Sequence, residues 1–193
     1  MSQVMDEKTA RWYVENYGEH PTNRLAVELA GLTAADVVLD VGCGGGAAVR
    51  AAAAQVTGGR VLGVDPSPAM LAIAAEHTAE HPERERIAYL HGDAGHLPVP
   101  DSSVTVALAI NTIHHWEDAE AGLGEVRRVL APGGRLIVSE EAIGGLCGRG
   151  RGPLSDSEQF AACLAAAGFS DVVTSVREAD GERIRLFSAA LPS

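Results

Sequence analysis

Apolar and polar positions along this chain change period several times, and each change marks an element. Residues 6–31 carry apolar side chains at helical spacing, with Leu25, Leu29 and Leu32 on one face and an interruption near residues 18–22. Two short helices are expected there, the second starting near Pro21. At Val37–Val41 the pattern becomes a short apolar run that ends in Asp40-Val41-Gly42 and passes through glycines into an alanine-rich segment over 47–56. That order reads as strand, tight loop, helix. Residues 60–64 form a second strand, and 67–80 a helix with Pro68 in its first turn and Met70, Leu71 and Ala74 on one face. A third strand at Ile87–His91 precedes a loop over 92–100, and residues 103–110 are so continuously apolar that a strand buried on both faces is expected. A helix over 119–130 then ends before Pro132-Gly133-Gly134 and delivers the chain into a fifth strand at 135–140.

The remainder differs in kind. Residues 143–153 are glycine-rich and read as a surface loop; Ser155 and Glu158 have capping-box spacing for a helix that runs to Ala167 before Gly168. Two further strands, at 169–177 and 183–191, are joined by Asp180-Gly181, a hairpin signal. Strands alternating with helices predict an open parallel sheet with right-handed crossovers. The expected fold is therefore α/β and Rossmann-like: a seven-stranded, mostly parallel sheet with a C-terminal antiparallel hairpin and helices on both faces. Residues 1–35 are expected to form a helical cap over the site, and 36–193 the main domain.

Charge narrows the function classes. The chain has 193 residues and a formal charge of -11, from 15 basic and 26 acidic side chains, with Lys8 its one lysine. Nucleic-acid binding normally needs clustered Lys and Arg to neutralise phosphates, and this balance argues against it and against anionic membrane surfaces. No stretch approaches the roughly 18–20 apolar residues of a membrane-spanning helix, so no membrane insertion is expected. Cys43, Cys147 and Cys163 fit neither a disulfide framework nor a zinc motif. A reducing, cytoplasmic setting is expected, an N-terminal basic region followed by an apolar run being absent, and no metal site is indicated. Nothing in the sequence specifies an oligomeric state.

The loop Asp40-Val41-Gly42-Cys43-Gly44-Gly45-Gly46 stands where a strand hands over to a helix, the position at which open α/β sheets collect ligands. Gly42, Gly44 and Ala47 also satisfy a dinucleotide spacing, so a nicotinamide reading stays open on the loop alone. Asp40 favours a ligand with an ammonium group; beside a pyrophosphate it would repel. Asp65 ends the second strand, where a carboxylate can accept hydrogen bonds from ribose hydroxyls or cap the helix ahead of Ser67. Met70 can lie against adenine or serve as helix core. Asp93 ends the third strand, placed to accept from the exocyclic amine of adenine, with Ala94 offering a backbone N–H to the ring. Three carboxylates at three strand ends suit a cofactor with donors and a cation, and suit two phosphates badly.

These segments carry a resemblance. VLDVGCGGG at 38–46, VLGVD at 61–65, GDAGHLPVPDSSV at 92–104, ALAINTIHHWED at 107–118 and LAPGGRLIV at 130–138 resemble the class I S-adenosylmethionine-dependent methyltransferases. The likeness is strongest to the small-molecule branch that includes the ubiquinone and menaquinone biosynthesis enzymes, and covers roughly residues 36–140. It implies S-adenosylmethionine as cofactor, a sheet ending in an antiparallel hairpin, and a methyl group moved to an O, N or C nucleophile of a small molecule by direct displacement. Gly42 and Gly44 would lie under the methionine part, Asp65 would hold the ribose, Asp93 and Ala94 would bracket adenine, and Asn111 would line the end of the fourth strand. Cys43 within the loop and Pro66 after Asp65 belong to the same contact set. The alternatives are an adenosylmethionine-binding protein without catalysis and an NAD-dependent oxidoreductase.

Methyl transfer needs a base only when the acceptor arrives with a proton to lose. Asn111-Thr112-Ile113-His114-His115-Trp116 holds the candidate, His115, with His114 ranked behind it and cofactor contact or packing as its other roles. Trp116 is a wall for adenine or acceptor, or core. Trp12, Tyr13, Tyr17 and His20 are candidates for a lid or for packing, and the segment 140–153 for contact with the acceptor.

Overall fold

The computed structural model describes residues 5–141, 157–179 and 181–192. The expectations for 143–153, for the Ser155 cap and for Asp180 in the hairpin turn lie outside the described residues.

Seven strands form one sheet: β1 (Val37–Val41), β2 (Arg60–Asp65), β3 (Ile87–His91), β4 (Val104–Ile110), β5 (Leu130–Glu141), β6 (Ser170–Ala179) and β7 (Glu182–Ala190). Their order is β3-β2-β1-β4-β5-β7-β6, parallel through β5 and antiparallel at β7 and β6. The expected sheet and hairpin are both present. Because β1 is flanked by β2 on one side and β4 on the other, the connections run outward in opposite directions from β1. The loops leaving the carboxyl ends of β1 and β4 therefore diverge and leave a crevice.

The helices are α1 (Glu7–Tyr13), continued by a π-helical turn at Val14–Gly18, α2 (Pro21–Leu29), α3 (Ala47–Gln55), α4 (Pro68–Thr78), α5 (Ala119–Val129) and α6 (Ser157–Ala166). Side chains alternate across each strand, so each strand feeds two cores. On one face Val38, Val61, Leu108 and Ile137 pack against Ala26 and Val27 of α2 and Val49, Ala52 and Ala53 of α3. On the other, Leu39, Val64, Leu136 and Val138 pack against Leu123, Val126 and Val129 of α5 and Phe160 and Leu164 of α6. The alanines of α3 let the helix lie close to the sheet. No helix among the described residues is long and apolar enough to cross a membrane.

Two expectations need correction. On α2 the fully buried residues are Thr22, Ala26 and Val27, followed by Ala30 at its C-cap; Leu25, Leu29 and Leu32 pack against that core only partly buried. Close approach to the sheet favours small side chains over the leucine stripe. Nor does Pro132-Gly133-Gly134 separate helix from strand. Leu130 already pairs with Val104, and the next aligned pair is Val106 with Arg135, so the intervening residues bulge from β5, with Gly133 at φ 74°.

The C-terminal hairpin is fastened by Phe187 of β7, whose ring meets Phe160 of α6 edge-on at 4.8 Å, both fully buried. Phe160→Ala should lower unfolding stability by about 3–5 kcal/mol in urea titrations. A loss below about 1 kcal/mol would show that α6 is not anchored by this ring.

Candidate functional site

The loop after β1 is fixed from two sides. The Gly42 and Cys43 N–H groups both donate to the Val64 carbonyl, at 2.8 and 3.0 Å. The Gly44 N–H donates to Asp65 Oδ2 at 2.9 Å, and the Ser67 N–H to Asp65 Oδ1 at 2.9 Å. One carboxylate thus ties the glycine loop to the start of α4. Gly42 and Gly44 both have positive φ, 80° and 50°. A Cβ at Gly42 would overlap the Thr112 hydroxyl, so this position must be glycine for β4's loop to close on it; a Cβ at Gly44 would meet nothing within 4 Å. Gly44 faces open space.

Asp40 lies on the α2/α3 face of β1 and is 2% exposed. No hydrogen bond from the described residues reaches its carboxylate, and burial together with the charge of Asp65 pushes its pKa up to about 7. Burial also raises Asp65, the N–H groups of Ser67 and Gly44 and the charge of His91 working against the rise. Cys43 is buried beside them, its thiol pushed up by burial and by the two carboxylates, and it packs into the α2/α3 core. The result is a pair of buried carboxylates next to the open side of the glycine loop, Asp65 held by two N–H groups and Asp40 without a donor among the described residues.

The other predicted positions divide. The Pro66 carbonyl lies 3.1 Å from His91 Nε2, at the lip of the β2 loop. Met70 is buried in a cluster with Ala10 and Val14 of the N-terminal segment and with Ile73. Asp93 is exposed and its carbonyl accepts from the His96 N–H at 3.1 Å, whereas Ala94 is buried in the α5/α6 core. Trp116 packs against Gly122 and the same core, its indole N–H buried without a hydrogen-bond partner. The aromatic group forms a patch, with Tyr17 at 5.8 Å from Trp12 and 5.3 Å from Tyr13, and Trp12 is 55% exposed.

The end of β4 turns sharply. Asn111 has φ 51°, donates its N–H to the Ser139 carbonyl at 2.8 Å, and reaches Thr22 Oγ1 with its amide at 3.4 Å. A 3₁₀ turn over Ile113–His115 follows. The His114 and His115 rings are tilted against each other at 3.9 Å, and burial and the neighbouring ring lower the pKa of His115. His114 Nδ1 lies 3.1 Å from Glu140 Oε2 at the end of β5. Glu140 enters the sequence reading only as the first residue of a longer segment. The rule that picked out Asp65 and Asp93, a carboxylate at a strand's carboxyl end, also picks it out.

With the geometry established, comparison with known proteins is direct. Residues 39–138, from β1 to β5, match the methyltransferase domain family. The chain belongs to that family. Among relatives of this methyltransferase domain, the 27-O-demethylrifamycin SV methyltransferase of Amycolatopsis mediterranei is 36% identical over 126 residues, 63% of this chain and 46% of that protein. The demethylmenaquinone methyltransferase of Tropheryma whipplei is 38% identical over 117 residues, 61% of this chain and 46% of that protein. The chain thus spans under half the length of either relative. The structure of Haemonchus contortus phosphoethanolamine N-methyltransferase 2, in complex with phosphomonomethylethanolamine and S-adenosylhomocysteine, superposes with a TM-score of 0.78 at 18% identity, covering 99% of this chain and 58% of that one. It shares the fold.

Asp40 yields a test of the site's electrostatics. Its folded pKa of about 7 exceeds the ordinary 3.8, so between these values the folded state holds a proton that the unfolded chain has released. The resulting stabilisation is complete below the lower value and is lost as pH rises through the upper one. Ligand-free Asp40→Asn protein should therefore melt roughly 5 °C above wild type at pH 8, with the difference closing toward pH 4. Calorimetric melting across pH checks this; a difference that does not change with pH would contradict it.

Proposed function

We propose that this methyltransferase domain binds S-adenosylmethionine across the carboxyl ends of β1 to β4 and catalyses transfer of its methyl group to a small acceptor. The observation that carries the reading is Asp40. A carboxylate 2% exposed, without a hydrogen-bond donor among the described residues and beside a second buried carboxylate, is costly unless a cation completes it. The ammonium of an amino-acid-containing cofactor does so, and a pyrophosphate would be repelled. That disfavours the NAD alternative.

When bound, S-adenosylmethionine supplies an electrophilic methyl group on a cationic sulfur. In this reading the open side of Gly44, with Gly42 and Cys43, receives the methionine part. Asp65 keeps one lone pair on each oxygen beyond its bonds to Gly44 and Ser67, and directs these to the ribose hydroxyls. Pro66 and Met70 line the adenosine side, with Asp93 and Ala94 at adenine, and Asn111 closes the β4 end. The chain's remaining task is to align the acceptor and exclude water. His115, its pKa lowered by burial and by His114, lies against the His114 ring, so the turn after β4 brings two imidazoles to this end of the crevice.

Residues 1–35 act as a cap in the same reading. What supports this is contact with both loops of the crevice: Val14 closes on Gly45, and Thr22 on Asn111. Arg50 of α3 joins them, donating to the Gly45 carbonyl at 2.8 Å and pairing with Glu19. The rifamycin and menaquinone relatives match at similar identity although their names point to different acceptors. The quinone-methylating branch is thus one candidate branch among several.

Asp65→Ala should weaken S-adenosylhomocysteine binding at least roughly tenfold by calorimetry. Affinity within about twofold of wild type would confine Asp65 to holding Gly44 and Ser67. Gly44→Val leaves the protein's own packing unhindered apart from its positive φ, so it should cost far more in cofactor binding than in melting temperature. Near-normal binding by a folded Gly44→Val protein would put the cofactor elsewhere.

A further inference from the structure

We propose that the acceptor is a hydroxyl compound and that His114, positioned by Glu140, is the group that takes its proton; the inference rests on the methyl-transfer reading above. Backbone geometry puts the two side chains together. Ile110 pairs with Ser139 in the β4–β5 register, and the Asn111 N–H bond to the Ser139 carbonyl locks the strand end one residue short of Glu140. The 3₁₀ turn that follows then brings His114 back over β5, with Nδ1 at 3.1 Å from Glu140 Oε2.

The Glu140 side chain is 12% exposed, and its second oxygen is buried with no hydrogen-bond partner among the described residues. Its charge is therefore poorly compensated, and an imidazolium on His114 is the counter-charge within reach. The carboxylate also selects a tautomer: Nδ1–H donates to Oε2, which leaves the lone pair on Nε2. His115 makes no such contact among the described residues; it packs against the His114 ring, and protonation of either ring opposes protonation of the other. Among the described residues, Glu140 from β5 and His115 from the same turn are titratable groups facing His114.

A hydroxyl fits this pair better than other nucleophiles. An ammonium would meet Glu140 as an ion pair and be held in its unreactive protonated form, and a carboxylate acceptor would be repelled by Glu140. A neutral hydroxyl brings one proton to lose and no charge. In the step, the acceptor O–H bond breaks and the proton passes to His114 Nε2. The oxygen's electron pair forms the new O–CH₃ bond while the S–CH₃ bond of S-adenosylmethionine breaks, its pair remaining on sulfur. The products are a methyl ether, S-adenosylhomocysteine and an imidazolium that returns its proton to solvent.

Two readouts test it on the folded full chain. By NMR on S-adenosylhomocysteine-loaded protein, Glu140→Gln should lower the His114 titration midpoint by roughly one unit or more; an unchanged midpoint overturns the pairing. In single-turnover assays at pH 8 with S-adenosylmethionine saturating, 4-methoxyphenol, 4-nitrophenol and benzylamine serve as acceptors. His114→Gln should slow transfer to 4-methoxyphenol roughly 10²–10⁴-fold and transfer to the already ionised 4-nitrophenol far less. Glu140→Gln should lose part of that rate and Glu140→Asp recover some of it, while His115→Gln should cost less than His114→Gln. Methylation of benzylamine alone, of no phenol, or a larger loss in His115→Gln overturns the inference. If wild type fails to bind S-adenosylhomocysteine by calorimetry, the methyl-transfer reading itself falls; if it binds and the phenols stay untouched, only the hydroxyl assignment does.

Discussion

Asp65 receives the Gly44 N–H on one oxygen and the Ser67 N–H on the other, and through those two bonds the loop after β1 is held against the loop after β2. The arrangement depends on β1 and β2 running parallel and in register to the last residue of β1, Val41 opposite Val64, which leaves Asp65 one step beyond. Gly42 can then sit under Thr112 from β4, and the crevice acquires a floor of backbone with carboxylates on one side. Without its bond to Asp65, Gly44, which as a glycine loses more conformational freedom on folding than other residues, would lose the tie that joins this part of the loop to the end of β2.

The site works against the fold around it. Asp40 and Asp65 are both buried, and the charge of Asp65 makes Asp40 harder to ionise. An apolar residue at position 40 would suit the α2/α3 core better than a carboxylate does. On the proposed reading, stability is given up at the place where a cation is to be received, while the alternating apolar faces of Val38 to Val41 and the small side chains of α3 hold the sheet together nearby. Glu140 repeats the pattern at β5, with a buried oxygen that has no hydrogen-bond partner among the described residues.

How much was legible in the sequence follows from which interactions are local. Val37–Val41 and Ile87–His91 were read to the residue, because short apolar runs bounded by glycine or charge leave little freedom in where pairing stops. The bulge at the start of β5 was not, since Pro132-Gly133-Gly134 is a turn signal by local chemistry and becomes part of the strand only because β4 supplies partners on either side of it. Met70 illustrates the same limit: its place against Ala10 and Val14 depends on a helix some sixty positions earlier in the chain. The carboxylates at strand ends were visible as residue types. That Asp40 would be without donors among the described residues, and that Glu140 would face His114, is long-range information carried by sheet register.

The central claim is that the crevice is built for an adenosine ligand bearing an ammonium group. Calorimetric titration of wild-type protein near pH 7 with S-adenosylhomocysteine, 5′-methylthioadenosine and NAD tests it most directly. The account expects S-adenosylhomocysteine to bind far more tightly than 5′-methylthioadenosine, which lacks the amino-acid part, with protons released as Asp40 ionises, and NAD not to bind. Equal affinity for the two thioethers, or tight binding of NAD alone, would contradict it.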